Sequence, residues 1–208
     1  MSSHLASPAR RLRKIPQQTR GQRRVAGLLD AAESVLAESG YEAATMSAVA
    51  GRAGASIGSL YQFFPNKAAV AEALRHRYAQ EYDELCAPLE ARASALNLHE
   101  LVQHLMSLNI GFVESHPAFV ALLDAPHSSR IPAALRTRLR DRFAGFFLAR
   151  KPRMSKEKAG EIAVVTLHIL KGLNQLYAET PGARKDRFVA EFKTVLTGYL
   201  GSRMGLQS

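Results

Sequence analysis

The sequence has a single cysteine, Cys86, no tryptophan, and only 7% aromatic residues over 208 positions. One thiol cannot form an intrachain disulfide or a multi-thiolate metal site, and this suits a reducing compartment. The seven histidines include no His-Glu-x-x-His pairing, so no zinc set is expected, and neither metal nor cofactor is called for. Apolar runs never approach the roughly 18 residues that a membrane helix needs. No apolar segment follows the basic N-terminus in the manner of a signal peptide. The expected location is the cytoplasm, with no membrane partner.

Acidic residues are missing from positions 1–24, where Arg10, Arg11, Arg13, Lys14, Arg20, Arg23 and Arg24 stand beside Pro8 and Pro16. A stretch so charged and so poor in apolar residues cannot build a core and reads as a mobile arm that orders on a partner; residues 1–21 are assigned to it. The chain as a whole carries a formal net charge of +10, with nine basic residues against four acidic over residues 1–67 and nineteen against fourteen over 68–208. Its first third is therefore about twice as basic per residue as the rest. Such a field attracts polyanions and favours nucleic acid or an anionic surface, and charge alone fixes no partner. The apolar share of 47% is that of a packed globular protein.

From Val25 onward the apolar residues recur at helical spacing. Val25, Leu28, Leu29, Ala32, Val35 and Leu36 line one face, and Gly40 is placed to end that helix. Thr45 can cap a short second helix with Met46, Val49, Ala50 and Ala53 inward. Gly54 interrupts it, Ser56 can cap a third helix that Pro65 closes after Phe64, and Asn66 opens a fourth. This long helix is expected to run to about Pro88. Apolar periodicity resumes from Leu98 to Val113, then with Leu135, Leu139, Phe143, Phe146 and Phe147. It returns from Ile162 to Leu176 behind a Ser155 cap, and finally from Val189 to Leu200. About nine helices, no strands and no solenoid repeat make an all-α fold.

Residues 45–64 have the parts of a helix-turn-helix: a support helix from Thr45 to Ala53, a turn at Gly54, Ala55 and Ser56, and a reader from Ile57 to Phe64. Such a motif needs a turn that tolerates left-handed backbone and a second helix whose start reaches base edges in the major groove. Leu60 and Phe64, four apart, anchor the reader inward; Gly58 permits close approach to the duplex. A different reading of the same turn is the G-x-S-x-G elbow of a hydrolase with Ser56 as nucleophile, which would require a strand before it. A third is a DNA-compacting protein that binds by charge alone.

Thr45-Met46-Ser47-Ala48-Val49-Ala50 followed by Gly54 through Lys67 resembles the TetR-family signature, a likeness that covers about residues 22–70. The resemblance implies a three-helix DNA-binding domain at 22–67, joined to a larger helical effector-binding and dimerisation domain at 68–208. It implies a homodimeric repressor that a small-molecule effector releases from a palindromic double-stranded operator. It also implies that Thr45, Tyr61 and Lys67 contact phosphate and that Ser56, Ile57, Gly58, Ser59 and Gln62 face the groove. Two positions depart from the family pattern, Ile57 where a polar residue is frequent and Gln62 where His is frequent. An apolar Ile57 suits a thymine methyl, and Gln62 suits an adenine edge.

In the second half, a mostly apolar pocket with a few polar groups is expected between helices. Met106, Asn109, Phe112, Phe143, Phe147, His168, Asn174 and Tyr177 are its candidate lining, with Phe146 beside them. Asn109 and His168 interrupt apolar stripes, where a buried polar group wants a partner. The dimer is assigned to the last two helices through Ile162, Val165, Ile169, Leu173 and Leu176, with Val189, Phe192, Leu196 and Tyr199. Arg136, Arg138, Arg140 and Arg142 fall on two helical stripes that read as a solvated face. Cys86 reads as buried packing.

Overall fold

The structure, a computed structural model, describes residues 20–125 and 133–205; most of the expected basic arm lies outside them. Among the described residues there are nine helices and no strand: α1 (Arg20–Ala43), α2 (Met46–Arg52), α3 (Ile57–Phe63), α4 (Lys67–Arg92), α5 (Leu98–Ser115), α6 (Pro117–Asp124), α7 (Ala133–Arg150), α8 (Lys156–Glu179) and α9 (Arg184–Met204). None of them alone is long and apolar enough to cross a membrane.

The helices begin where short polar side chains can take up orphan N–H groups. Thr45 Oγ1 accepts from the Ala48 N–H, Ser56 Oγ from Ser59, Asn66 Oδ1 from Ala69, and Ser155 Oγ from Lys158. At α5 the cap is reciprocal: Asn97 Oδ1 accepts from the Glu100 N–H while Glu100 Oε2 accepts from the Asn97 N–H, a capping box that the Asn-x-x-Glu spacing announces.

Three boundaries differ from expectation. α1 starts at Arg20 and not at Val25, so Arg20, Arg23 and Arg24 are helical; their turn reaches past the core and so lacks apolar periodicity. Gly40 does interrupt α1, at φ 74° and ψ 172°, but one more turn follows to Ala43. Pro88 lies inside α4 and does not end it. Proline removes one backbone hydrogen bond from a helix, yet Pro88 is on the exposed side and the inward Leu89 and Ala93 are buried, holding the last turn in place.

Helices α1 to α3 share a small core of Leu28, Ala32, Leu36, Val49, Ala50, Leu60 and Phe64, closed below by Val70 and Leu74 of α4. α4 then passes into the larger body, where it packs on α5, α6 and α7; α7 lies on α8, α8 on α9, and α9 on α5. α6 lies against α1 as well as against α4, α5 and α8. Phe143, Phe146, Phe147, Leu105 and Met106 are fully enclosed in that body.

The arginine run of α7 corrects one expectation. Arg138 Nη2 donates to Asp83 Oδ2 at 2.6 Å, and Arg142 Nε to Asp83 Oδ1 at 2.8 Å. Arg142 also pairs with Glu90. Asp83 is only 2% exposed, so the 138/142 stripe is engaged by a buried carboxylate, although Arg138 remains about half exposed. The Arg142 hydrogen bonds, ahead of those from Arg138, hold the Asp83 carboxyl below the usual carboxylate range. Sequence spacing separated the two stripes but could not see the acid on α4 that claims one of them. Cys86 is buried as expected, and burial pushes its thiol up to about 12.

Candidate functional site

The turn between α2 and α3 is built on Gly54, whose φ of 59° lies in the left-handed region that glycine enters without strain. The Ala55 N–H donates back to Ala50 O at 2.9 Å and fixes the angle between the helices. Leu60 is fully buried and Phe64 nearly so, which pins α3 by one face. The opposite face is open. Ile57 is 41% exposed and Tyr61 50%, and Ser56, Gly58 and Gln62 are exposed beside them. A Cβ added at Gly58 would meet nothing within 4 Å, so the chain's own packing does not require glycine there.

Four of the expected DNA contacts have roles within the chain, Ser56 as the cap of α3 already described. Thr45 is exposed while its hydroxyl caps α2. Ser59 is half-buried, and its Oγ accepts a 2.9 Å hydrogen bond from Arg24 Nη2, which ties the first turns of α1 to the reader helix. Lys67 Nζ donates to Tyr41 O at 2.7 Å and Glu42 O at 2.9 Å and sits over the Tyr41 ring, closing the end of α1. Arg24 was absent from the expected contacts, because its position in the arginine-rich run gave no hint of a helix. Arg52, also exposed, is held by Glu38 of α1 through two hydrogen bonds of 2.8 and 2.6 Å.

The hydrolase reading fails at its first requirement. The segment before Gly54 is helix α2, and the Ser56 hydroxyl is the N-cap of α3. No strand mounts the turn as a nucleophile elbow requires.

A cavity of about 620 Å³ lies in the larger body, enclosed by α4, α5, α6, α7 and α8. Its walls are Arg75, Tyr78, Ala79 and Tyr82 of α4, Asn109 of α5, Phe119, Leu122 and Leu123 of α6, Thr137, Leu139 and Arg140 among those of α7, and Val164, Leu167, His168, Lys171 and Asn174 among those of α8. The size and the mostly apolar lining are those of a small-molecule site. Another depression of about 670 Å³, between α7 and α8, is rimmed by charges of both signs, Arg140, Asp141, Lys156 and Glu157. Its character is that of solvated surface.

Of the eight expected pocket residues, Asn109, His168 and Asn174 line the cavity. The first and last find each other: Asn109 Nδ2 donates to Asn174 Oδ1 at 2.6 Å across α5 and α8, the partnership expected of polar groups set in apolar stripes. The others do not line it. Met106, Phe143 and Phe147 are packed solid in the core. Phe112 stands one layer behind, edge-on to Tyr78 and Tyr82. The Tyr177 hydroxyl donates to Glu114 at 2.5 Å, away from the cavity. Periodicity marks an inward face but does not tell packed core from cavity wall.

Two contacts link the cavity to the DNA-reading domain. The ring of Tyr78 is in the cavity wall while its hydroxyl donates to Glu33 Oε1 of α1 at 2.7 Å. Burial, then the Glu33 carboxylate, pushes the phenol far above its ordinary pKa, so it stays a donor. Beside it Arg77 pairs with Glu33 and with Asp30 of α1. The second link is α6, which presents Phe119, Leu122 and Leu123 to the cavity and packs against α1.

The faces of α8 and α9 divide between two destinations. Ile162, Leu173 and Leu196 belong to the chain's own core, which removes them from the expected dimer surface. Val165 and Val195 are among the exposed large apolar residues, and Ile169, Phe192 and Tyr199 are half-exposed.

A capped reader helix pinned by a buried leucine, joined to a helical body with an apolar cavity, defines a helix-turn-helix DNA-binding regulator. Residues 28–74 match the model of bacterial regulatory proteins of the tetR family, and residues 97–200 match the tetracyclin repressor-like C-terminal domain. The chain belongs to the TetR family of transcriptional regulators. A TetR-family regulator from Streptomyces coelicolor is 27% identical, with a TM-score of 0.66 over 86% of this chain and 98% of that one. The same fold recurs in two more distant structures. The TetR-family repressor AlkX from Dietzia sp. strain DQ12-45-1b is 17% identical, TM-score 0.56, over 86% of this chain and 96% of that one. The fatty acid degradation regulator FadR from Bacillus halodurans is 16% identical, TM-score 0.59, over 83% and 97%. No curated protein matches the sequence significantly.

Proposed function

We propose that the chain is a homodimeric repressor, and not an enzyme, whose two α3 helices read successive major grooves of a palindromic operator in the cytoplasm and let go when a small molecule fills the cavity. The observation that carries this reading is the outward face of α3, where Ile57, Tyr61 and Gln62 are exposed around a helix anchored by Leu60. Ile57 and Gln62 read bases, with Ser56, Gly58 and Ser59 lying against the groove; Thr45, Tyr61 and the Lys67 end of α4 meet phosphate. Residues 22–67 act as the reader domain and 68–208 as the effector and dimer domain. Val165, Ile169, Phe192, Val195 and Tyr199 of α8 and α9 form the two-fold contact, a four-helix bundle between copies.

Release follows from α6 and Tyr78. A ligand that pushes on Phe119 or Tyr78 acts on elements that also hold α1, so filled and empty cavities favour different settings of the reader helices. Occupied dimers then no longer match grooves spaced by one helical turn, about 34–36 Å. The apolar lining favours an apolar effector body, in keeping with AlkX, implicated in biodegradation of n-alkanes, and with FadR of fatty acid degradation.

Selection of bound DNA from a random pool tests the reading. A two-fold symmetric site with half-sites one turn apart is the expected result. Retention of random DNA with no enriched sequence would overturn it in favour of charge-driven compaction.

A further inference from the structure

The ionisable groups that line the cavity are Arg75, Arg136, Arg140, Lys171, His168 and two tyrosines; among the described residues none of them is a carboxylate. Arg75 is the most deeply set of the cations, 8% exposed, at the α4 wall. Its Nη2 donates to Leu122 O in the last turn of α6 at 3.1 Å, and its Nε, buried as well, has no hydrogen-bond partner among the described residues. A guanidinium buried without a carboxylate against it is costly, and a protein that keeps one beside a cavity keeps a counter-ion site in waiting.

We propose that the effector is an anionic amphiphile, an apolar body with one carboxylate or similar oxyanion, whose head is bound by Arg75 while its tail lies against Tyr82, Phe119 and Leu167. This rests on the reading of the cavity as the effector site and adds to it the charge of the ligand. The amide pair Asn109–Asn174 lines the same cavity and supplies neutral polar contacts, whereas Arg75 supplies the charge. Burial already presses the guanidinium's pKa below its ordinary value, against weaker attraction from Tyr41 and Glu72; an arriving anion relieves that cost. Because Arg75 also holds Leu122 O, an anion that draws the guanidinium inward loosens the end of α6, the helix that leans on α1.

Three probes of one chain length separate the ideas: decanoate, decan-1-ol and decylammonium, each titrated calorimetrically into the full chain and each tested for release of the selected operator. Decanoate is expected to bind tighter than the alcohol by about tenfold or more, the scale of a charge-assisted hydrogen bond, and decylammonium weakest. Arg75→Met should erase the carboxylate's advantage over the alcohol, while Arg75→Lys keeps most of that advantage. Equal affinity for carboxylate and alcohol in the native chain, a reading independent of how any variant folds, overturns the proposal. Ala79→Phe distinguishes the two layers. If it blocks the alcohol while the native chain shows no preference for carboxylate, the cavity is the ligand site and the anion inference fails. If it blocks neither probe, binding lies elsewhere and both fall.

Discussion

The two halves of the chain solve their tasks with different kinds of information. The reader, α1 to α3, is assembled from residues that are neighbours in sequence: caps at Thr45 and Ser56, a left-handed Gly54, an anchor at Leu60 and exposed residues one and two positions further on. The effector body gathers its cavity from five helices, and residues that face one another there, such as Arg75 and Leu122 or Asn109 and Asn174, lie 47 and 65 positions apart. A site made by spacing along one turn can be read from spacing. A site made by packing cannot.

The sharpest way to break this comparison is to remove one buried partner in each half. Asp83→Asn leaves Arg138 and Arg142 facing a neutral group, and losing one side of a buried pair typically costs about 3–5 kcal/mol; half of Arg138 is exposed, so the lower end is expected in denaturant unfolding. Because the Asp83 pKa is depressed by folding, the carboxylate's contribution is complete above its unfolded value of about 3.9 and is lost as the pH falls through the lower folded value. Native and variant stabilities should therefore begin to draw together as the pH falls below about 4 and meet only below the depressed folded value, and a gap that does not narrow over that fall would mean that Asp83 acts by packing and not by charge. In the reader, Leu60→Ala should cost about 2–5 kcal/mol as a cavity in a small core. It should also abolish operator binding, whereas Asp83→Asn leaves the enriched sequence unchanged.

Smaller effects sharpen the division of labour on α3 and its flanks. Gln62→Ala should relax operator choice by about 1–3 kcal/mol of discrimination without shifting the melting temperature; equal loss on operator and random DNA would deny it a base contact. Lys67→Ala should weaken every DNA sequence alike, and because Lys67 Nζ closes the end of α1, the melting temperature should fall with it. A loss of affinity at constant stability would leave the phosphate contact as the whole role of Lys67 and deny it the closing of α1. Ser56→Ala should cost about 1 kcal/mol through the lost cap, visible in thermal unfolding and with no hydrolytic activity involved.

How much of this was legible follows the same line. The helix-turn-helix, its turn glycine, its caps and the inward Leu60 and Phe64 are written at fixed offsets. Asn109 and His168 were marked by polarity in apolar stripes, and both line the cavity, but only Asn109 is buried; His168 is exposed. The phenylalanines of α7 carry the same inward periodicity but pack as solid core, because the space between helices depends on neighbours that no single helix encodes. Arg24 was hidden by company: in a run of arginines, the one that reaches Ser59 looks like the rest. Pro88 misled because a local rule for ending helices yields to the burial of Leu89 and Ala93 beyond it.

The division of the cavity walls has a practical meaning for anyone retooling this regulator as a sensor. Tyr78, Arg77 and α6 are tied to α1, so on the proposed reading of the cavity changes on that side would alter the strength of the response together with the taste for ligand. Val164 and Leu167 of α8 stand in the same cavity without such a tie, and on the proposed reading of the cavity they are where a library would first be randomised to change what is detected.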